Sequence, residues 1–329
     1  MNIGKFSINI GMGRWFSSRE LVEACYQTLL GRAAESDDVL RQRARQALTA
    51  RQIIDSFIHS PEYKEYQVDR SILDDNLRQE KLSIDVDVSD AVRDRLFARV
   101  QDEWTRLGES EPHWSVLTAN EFRADVFQDH ADDFFDTGKL QVTDLRRTAS
   151  RNGIDIDAYQ SCVDFGCGVG RITLPLADLF AQVHGVDVSP GNLGLCAEYA
   201  RTSGKKNINT ILLDTIAALD TVPQCDVLFS LIVLQHNPPP IQVHMLRTLL
   251  AKVNPGGLAY FQIPTYLPDY TFVAERYLEQ DLMGMEMHAV PMHKVFGTLR
   301  DAGFDLLEVM QDNYTGIGAS HRFCAIKRA

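Results

Sequence analysis

Residues 160–180 constrain the fold of this chain more than any other stretch. A short apolar run from Gln160 to Phe165 ends abruptly at Gly166, and Ile172, Leu174, Leu176, Ala177 and Phe180 then recur at helical spacing. A strand therefore turns directly into a helix, predicted at 170–180. Gly166, Gly168 and Gly170 alternate through the turn, where glycine tolerates positive φ and lets a ligand lie against bare backbone. The first amides of the following helix point at the same place, so the loop suits a polar or anionic small molecule. A dinucleotide fingerprint GxGxxG starting at Gly166 needs its third glycine at 171, where this chain has Arg171.

The pattern is instead GxGxG with Asp164 two residues ahead, and it resembles the first motif of the class I S-adenosylmethionine-dependent methyltransferases. The resemblance covers about the last half of the chain, through five landmarks in order. Val183–Asp187 is a second apolar run ending in an acid, at the position where the family binds both ribose hydroxyls. Ile211–Asp214 is a third, where the family contacts the adenine amino group, although Asp214 could equally cap a helix begun by Thr215. Asp226–Leu231 matches the fourth strand, and Val253–Leu258 the turn into the fifth. The resemblance implies S-adenosylmethionine as cofactor, with contacts from Asp164, Gly166, Cys167, Gly168, Gly170, Arg171, Asp187, Val188, Asp214, Thr215 and Leu231. Arg171 would face the carboxylate of the methionine moiety, or solvent.

The wider pattern predicts an α/β, Rossmann-like seven-stranded sheet preceded by a small all-α domain. Strands are expected near 160–166, 182–187, 209–213, 225–231, 257–263, 304–311 and 320–327, with helices at 190–202, 239–253 and 291–302 between them. Asp312 to Ala319 is too short for a helical crossover, so the last strand runs antiparallel. The ligand crevice of such a sheet lies at the carboxyl ends of its strands, where strand order switches.

Ahead of the sheet, Leu21, Val22, Cys25, Leu29 and Leu30 form a helical stripe that Ser17 and Ser18 can cap and Gly31 stops. Thr49 can cap another carrying Ile53, Ile54, Phe57 and Ile58. The pieces Tyr26-x-x-Leu29-Leu30-Gly31-Arg32 and Phe57-x-x-Ser60-Pro61-Glu62-Tyr63 resemble a helical domain of unknown function that recurs in surface-layer proteins and beside glycan-modifying enzymes. Charge-rich residues 64–90 read as a linker. The expected divisions are 1–70 as a helical accessory domain, 71–150 as linker and lid, and 151–329 as the catalytic domain. Aromatics between 112 and 135 approach the sheet, and His113 and Trp114 could line an acceptor wall, or simply pack.

A net charge of −12 argues against a nucleic-acid partner, whose binding needs clustered Lys and Arg. No run of 18 apolar residues occurs, and six cysteines are scattered without a CxxC pair, so the reading is a reduced, cytoplasmic protein with no membrane span.

Methyl transfer to a hydroxyl or amine also removes a proton, which calls for a histidine or carboxylate. Candidates are His236, His288 and Asp312, with His293 and His321 behind them. His236 follows the fourth strand and has a structural alternative; His288 closes a run holding Met283, Met285 and Met287. No metal is expected, because His288 and His293, with Pro291 between, match no usual ligand spacing. The acceptor is read as a small molecule or a glycan hydroxyl, with a protein partner or self-association through the N-terminal domain. Two alternatives stand: an S-adenosylmethionine-binding regulatory or assembly protein without transferase activity, and an NAD-dependent oxidoreductase.

Overall fold

The computed structural model describes residues 18–30, 32–45, 49–64, 80–281, 284–316 and 318–329. Residues 1–16, Ser17, Gly31, most of the predicted linker (65–79) and Met283 lie outside the described residues. The chain divides into two compact units, Met1–Gln79 and Glu80–Ala329.

In the first unit, three short helices, α1 (Ser18–Leu29), α2 (Asp37–Ala44) and α3 (Ala50–Ile58), enclose one small core. Thr49 begins α3 with a capping box, its hydroxyl accepting from the Gln52 amide while the Gln52 side chain returns to Thr49. Tyr26 and Phe57 meet edge to face at 5.0 Å, surrounded by Val22, Cys25, Leu30, Leu40 and Ile53. Arg43 lies over both rings.

The second unit is built on a seven-stranded sheet. Its strands are β2 (Ser161–Phe165), β3 (Gln182–Asp187), β4 (Ile208–Leu212), β5 (Cys225–Ser230), β6 (Val253–Tyr266), β8 (Phe304–Asp312) and β9 (Ala319–Lys327). β1 (Ser83–Ile84) and β7 (Thr271–Phe272) pair separately as a short parallel ribbon. The sheet order is β4-β3-β2-β5-β6-β9-β8, and only β9 runs against its neighbours, as the short 312–319 connection requires. After β2 the chain winds outward to β4, then returns to the other side of β2 as β5. The switch in strand order therefore lies between β2 and β5, whose carboxyl ends open a crevice.

The helices are α4 (Asp90–Ser110), α5 (Pro112–Val116), α6 (Ala131–Arg151), α7 (Thr173–Leu176), α8 (Pro190–Thr202), α9 (Pro239–Lys252), α10 (Ala274–Glu279) and α11 (Met292–Asp301). α7 is much shorter than the predicted 170–180: Gly170 sits at φ 89°, and Pro175 withholds a backbone donor. β6 begins earlier than expected, its register with β5 broken between Cys225 and Val227. One face of the sheet packs Val163, Phe165, Phe261 and Phe323 with α9 and α11, and the other Cys162, Phe229 and Tyr260 with α6 and α7. Among the described residues, no helix is long and apolar enough to cross a membrane.

Candidate active site

A cleft of about 810 Å³, its mouth included, opens at the carboxyl ends of β2, β3 and β5. Its floor is the glycine turn. Gly166 and Gly168 take φ of 76° and 54°; a β-carbon at the first would fall 2.1 Å from the Val233 side chain, and at the second 2.4 Å from Val116. Bare backbone at both positions is what leaves the cleft open. Gly170 lies outside the lining and instead admits Cys196, whose sulfur would be 2.8 Å from an added β-carbon.

Asp187, at the end of β3, ties this floor together. Its Oδ2 accepts from the Gly168 amide (2.8 Å) and its Oδ1 from the Ser189 amide (2.9 Å). Burial nevertheless pushes its pKa up, the backbone donors opposing the shift. Asp164 is buried beneath, with Oδ2 accepting from the Thr173 hydroxyl (2.6 Å). Burial raises its pKa to about 6, against the Thr173 bond and the Arg171 charge. Arg171, only 3% exposed, donates from Nη1 to the Thr137 hydroxyl on α6 (3.0 Å), while its buried Nε has no partner. Asn192, in the first turn of α8, likewise holds a buried Oδ1 without a donor.

Cys167, Val188 and Leu231 complete the expected lining. Asp214 and Thr215 are exposed and outside it, and Leu213 faces the cleft in their place. Thr215 starts a 3₁₀ turn without a side-chain cap, its hydroxyl 3.4 Å from Asp214. His113 and Trp114 also lie outside. His113 stacks on Phe127 at 3.4 Å and bonds the Tyr199 hydroxyl, with its pKa brought to about 4 by burial; Trp114 carries Arg123 over its ring. The next two residues, Ser115 and Val116, line the cleft, and α4 adds Val100 and Trp104.

Among the three catalytic candidates, only His236 reaches the lining, 4.9 Å from Trp104 between ring centres. Its Nδ1 donates to the Glu286 carbonyl (3.0 Å), and its Nε2 accepts from Gln235 (3.1 Å). Burial holds its pKa at about 4, so the ring is neutral. His288 sits behind it, enclosed by Tyr270, Phe272 and Tyr277, with Nδ1 2.7 Å from the Tyr270 hydroxyl and Nε2 3.7 Å from Glu286. Asp312 ends β8 outside the cleft, accepting from the Tyr314 amide. His321 bonds Thr265 (2.9 Å). Among the described residues no cluster of His, Cys, Asp and Glu forms a metal site.

Comparison with known proteins accounts for this geometry. The segment from 162 to 257, β2 through the start of β6, matches a family described as a methyltransferase domain. A ubiquinone biosynthesis O-methyltransferase of Methylococcus capsulatus is 36% identical over 105 residues, covering 32% of this chain and 43% of that protein. One from Rhizobium rhizogenes is 27% identical over 169 residues, covering 51% and 60%. The chain thus spans less than two thirds of either relative. Magnesium protoporphyrin IX methyltransferase from Synechocystis superposes with a TM-score of 0.51 at 18% identity, covering 70% of this chain and 99% of that one, and shares the fold.

The matched domain implies S-adenosylmethionine as cofactor, and the residues present fit it. A glycine floor that a β-carbon would fill, an acidic acceptor at the end of β3, and the buried polar residues Arg171 and Asn192 line one cleft. The burial of Asp164 carries a testable cost. Its folded-state pKa lies above the unfolded value, so its contribution destabilises above about pH 6 and is relieved as pH falls toward 4. Asp164→Asn is therefore expected to raise unfolding stability at pH 7.5 by about 1–3 kcal/mol while weakening cofactor binding. A thermal or denaturant midpoint below that of the parent would contradict it.

Proposed function

We propose that this chain transfers a methyl group from S-adenosylmethionine to an oxygen atom of a small molecule. The observation that carries the reading is the bare backbone of Gly166 and Gly168, which a β-carbon at either position would fill, flooring a cleft lined by Asp187, Arg171 and Asn192. Bound there, the cofactor supplies a methyl carbon already activated by positive sulfur. The protein's task is to bind, to orient and to exclude water. Asp187 is the acceptor for ribose hydroxyls, and Arg171 the donor to the methionine carboxylate. Asp164, Cys167, Gly168, Val188 and Leu231 shape the walls, with Asp214 and Thr215 following the lining residue Leu213 and Gly170 setting the turn. Val116 and Trp104 close the cleft from the α4–α5 side.

Oxygen is preferred as the acceptor atom because both curated relatives named above are O-methyltransferases. A glycan hydroxyl is the narrower alternative and rests on the likeness of the N-terminal helices, which would then dock the glycan, a protein partner or a second copy. Six free, buried cysteines suit a cytoplasmic setting. The test is calorimetry with S-adenosylhomocysteine on the full chain, followed by transfer of a labelled methyl group into an extract of small molecules and glycans. Binding without turnover would favour a regulatory protein of the same fold; absence of binding would end the methyltransferase reading.

A further inference from the structure

The side chains around His236 restrict what the acceptor can be. A hydrogen-bond chain with fixed polarity runs through the interior beside the cleft. The Ile232 amide donates to Gln262 Oε1 (3.0 Å), Gln262 Nε2 to Gln235 Oε1 (3.0 Å), Gln235 Nε2 to His236 Nε2 (3.1 Å), and His236 Nδ1 to the Glu286 carbonyl (3.0 Å). It starts at a backbone N–H and ends at a backbone C=O, so neither amide can turn over without breaking it. Gln262 and Gln235 are almost wholly buried, and Gln262 Nε2 is further held 2.6 Å from Ser320. Ile232, the first link, is a β-branched residue at φ 62°, a backbone state that must be held in place by its surroundings. The consequence falls on His236: its one lone pair is already bonded, and it has no free site for a proton.

Among the described residues, the other titratable groups lining the cleft are committed as well. Asp187 accepts two loop amides, Asp164 accepts Thr173, Arg171 is a cation, and the Cys167 thiol is pushed well up by Cys196 and by burial. The charged and titratable groups facing His236 from the 284–291 segment are Glu286 and His288. Glu286 turns its carboxylate to the Tyr277 hydroxyl, and Arg99 of α4 lies over the Tyr277 ring.

We infer that the acceptor reaches this cleft with its nucleophilic oxygen already ionised, as a carboxylate or an acidic phenol or enol, and that an unactivated alcohol is not a substrate. The inference rests on the methyltransferase reading above. Transfer forms one oxygen–carbon bond and breaks one carbon–sulfur bond, whose electron pair stays on sulfur. An anionic oxygen and a sulfonium thereby give a neutral ester or ether and a neutral thioether, with no proton left to remove. Gln235 and Gln262 are positioning residues, keeping His236 a neutral wall beside a cationic methyl donor.

The test uses the full chain with S-adenosylmethionine and three probes: 4-nitrophenol, benzoate and benzyl alcohol. The rate with 4-nitrophenol should rise with pH and break at that phenol's own pKa, the benzoate rate should be flat across neutral pH, and benzyl alcohol should be at least about a hundredfold slower. A break that stays at one pH for every acceptor overturns the inference. So does turnover of benzyl alcohol comparable to the others, or turnover of none of the three while S-adenosylhomocysteine binds. Independently, ring-nitrogen NMR of ¹⁵N-histidine protein should show His236, assigned by loss of its signal in His236→Gln, with Nδ1 protonated and Nε2 bare. Protonation of Nε2 above about pH 6 would overturn the inference whatever the kinetics. Failure of S-adenosylhomocysteine to bind would instead remove the methyltransferase reading, leaving the spectrum to judge the hydrogen-bond chain.

Discussion

Asp187→Ala should lower affinity for S-adenosylhomocysteine about 30- to 1000-fold, or about 2–4 kcal/mol, with little loss of folding stability. The size follows from two roles in one carboxylate. Oδ2 fixes the Gly168 amide and Oδ1 the Ser189 amide, so the substitution frees the glycine floor and the entry to α8 together. On the proposed function, the remaining lone pairs are left to accept from a sugar diol. The fold, in contrast, gains from losing the charge, because burial holds the Asp187 pKa above its ordinary value even with these donors. A binding loss with a retained unfolding midpoint is therefore the signature of a ligand-binding carboxylate. Calorimetry showing affinity within twofold of the parent would remove Asp187 from the site. Asp187→Asn is the informative intermediate: its oxygen can hold one loop amide, but its NH₂ faces the other as a second donor.

The parts of this architecture that could be read from sequence are those carried by local periodicity. The apolar run into Gly166, the acids ending β3 and following β4, and the short turn before β9 placed the sheet, its antiparallel strand and the cleft floor. Contacts between distant segments were not readable. The stripe Val92, Leu96, Phe97, Val100 and Trp104 marks a buried face of α4, yet nothing in its spacing says that Val100 and Trp104 end beside the glycine turn. In 113–116 the aromatic residues carry the signal in sequence, while the helical phase of α5 turns Ser115 and Val116 inward. Gln262 sits in an apolar strand and Gln235 beside a histidine; their polarity has meaning only once β5, β6 and β9 lie side by side. Asn192 carries no signal in sequence for a similar reason, its place in the cleft lining being a property of the folded chain. His288 stands out in sequence by its neighbours, but three aromatic rings stand around it in space.

The largest loss of stability is expected at Gly138, on the α6 face that covers the Arg171 segment. A β-carbon there would lie 2.0 Å from the Arg171 carbonyl oxygen and 2.8 Å from its carbonyl carbon. Both atoms are main chain, so no flexible side chain can swing aside, and α6 must lift from the turn between β2 and α7. Its neighbour Thr137 holds the Arg171 guanidinium, so lifting α6 also breaks the contact that fixes a residue lining the cleft. Gly138→Ala should cost about 3–4 kcal/mol in urea unfolding, even though alanine is the better helix former by about 1 kcal/mol. Gly194→Ala supplies the control. It too sits inside a helix, α8, but nothing lies within 4 Å of its would-be β-carbon, so the same exchange should be neutral or stabilising by up to about 1 kcal/mol. The two substitutions share their effect on the unfolded chain and on helix propensity, and differ only in what the methyl group meets. Equal unfolding midpoints for the pair would mean that α6 does not approach Arg171 this closely, and the anchoring of that guanidinium by Thr137 would fall with it.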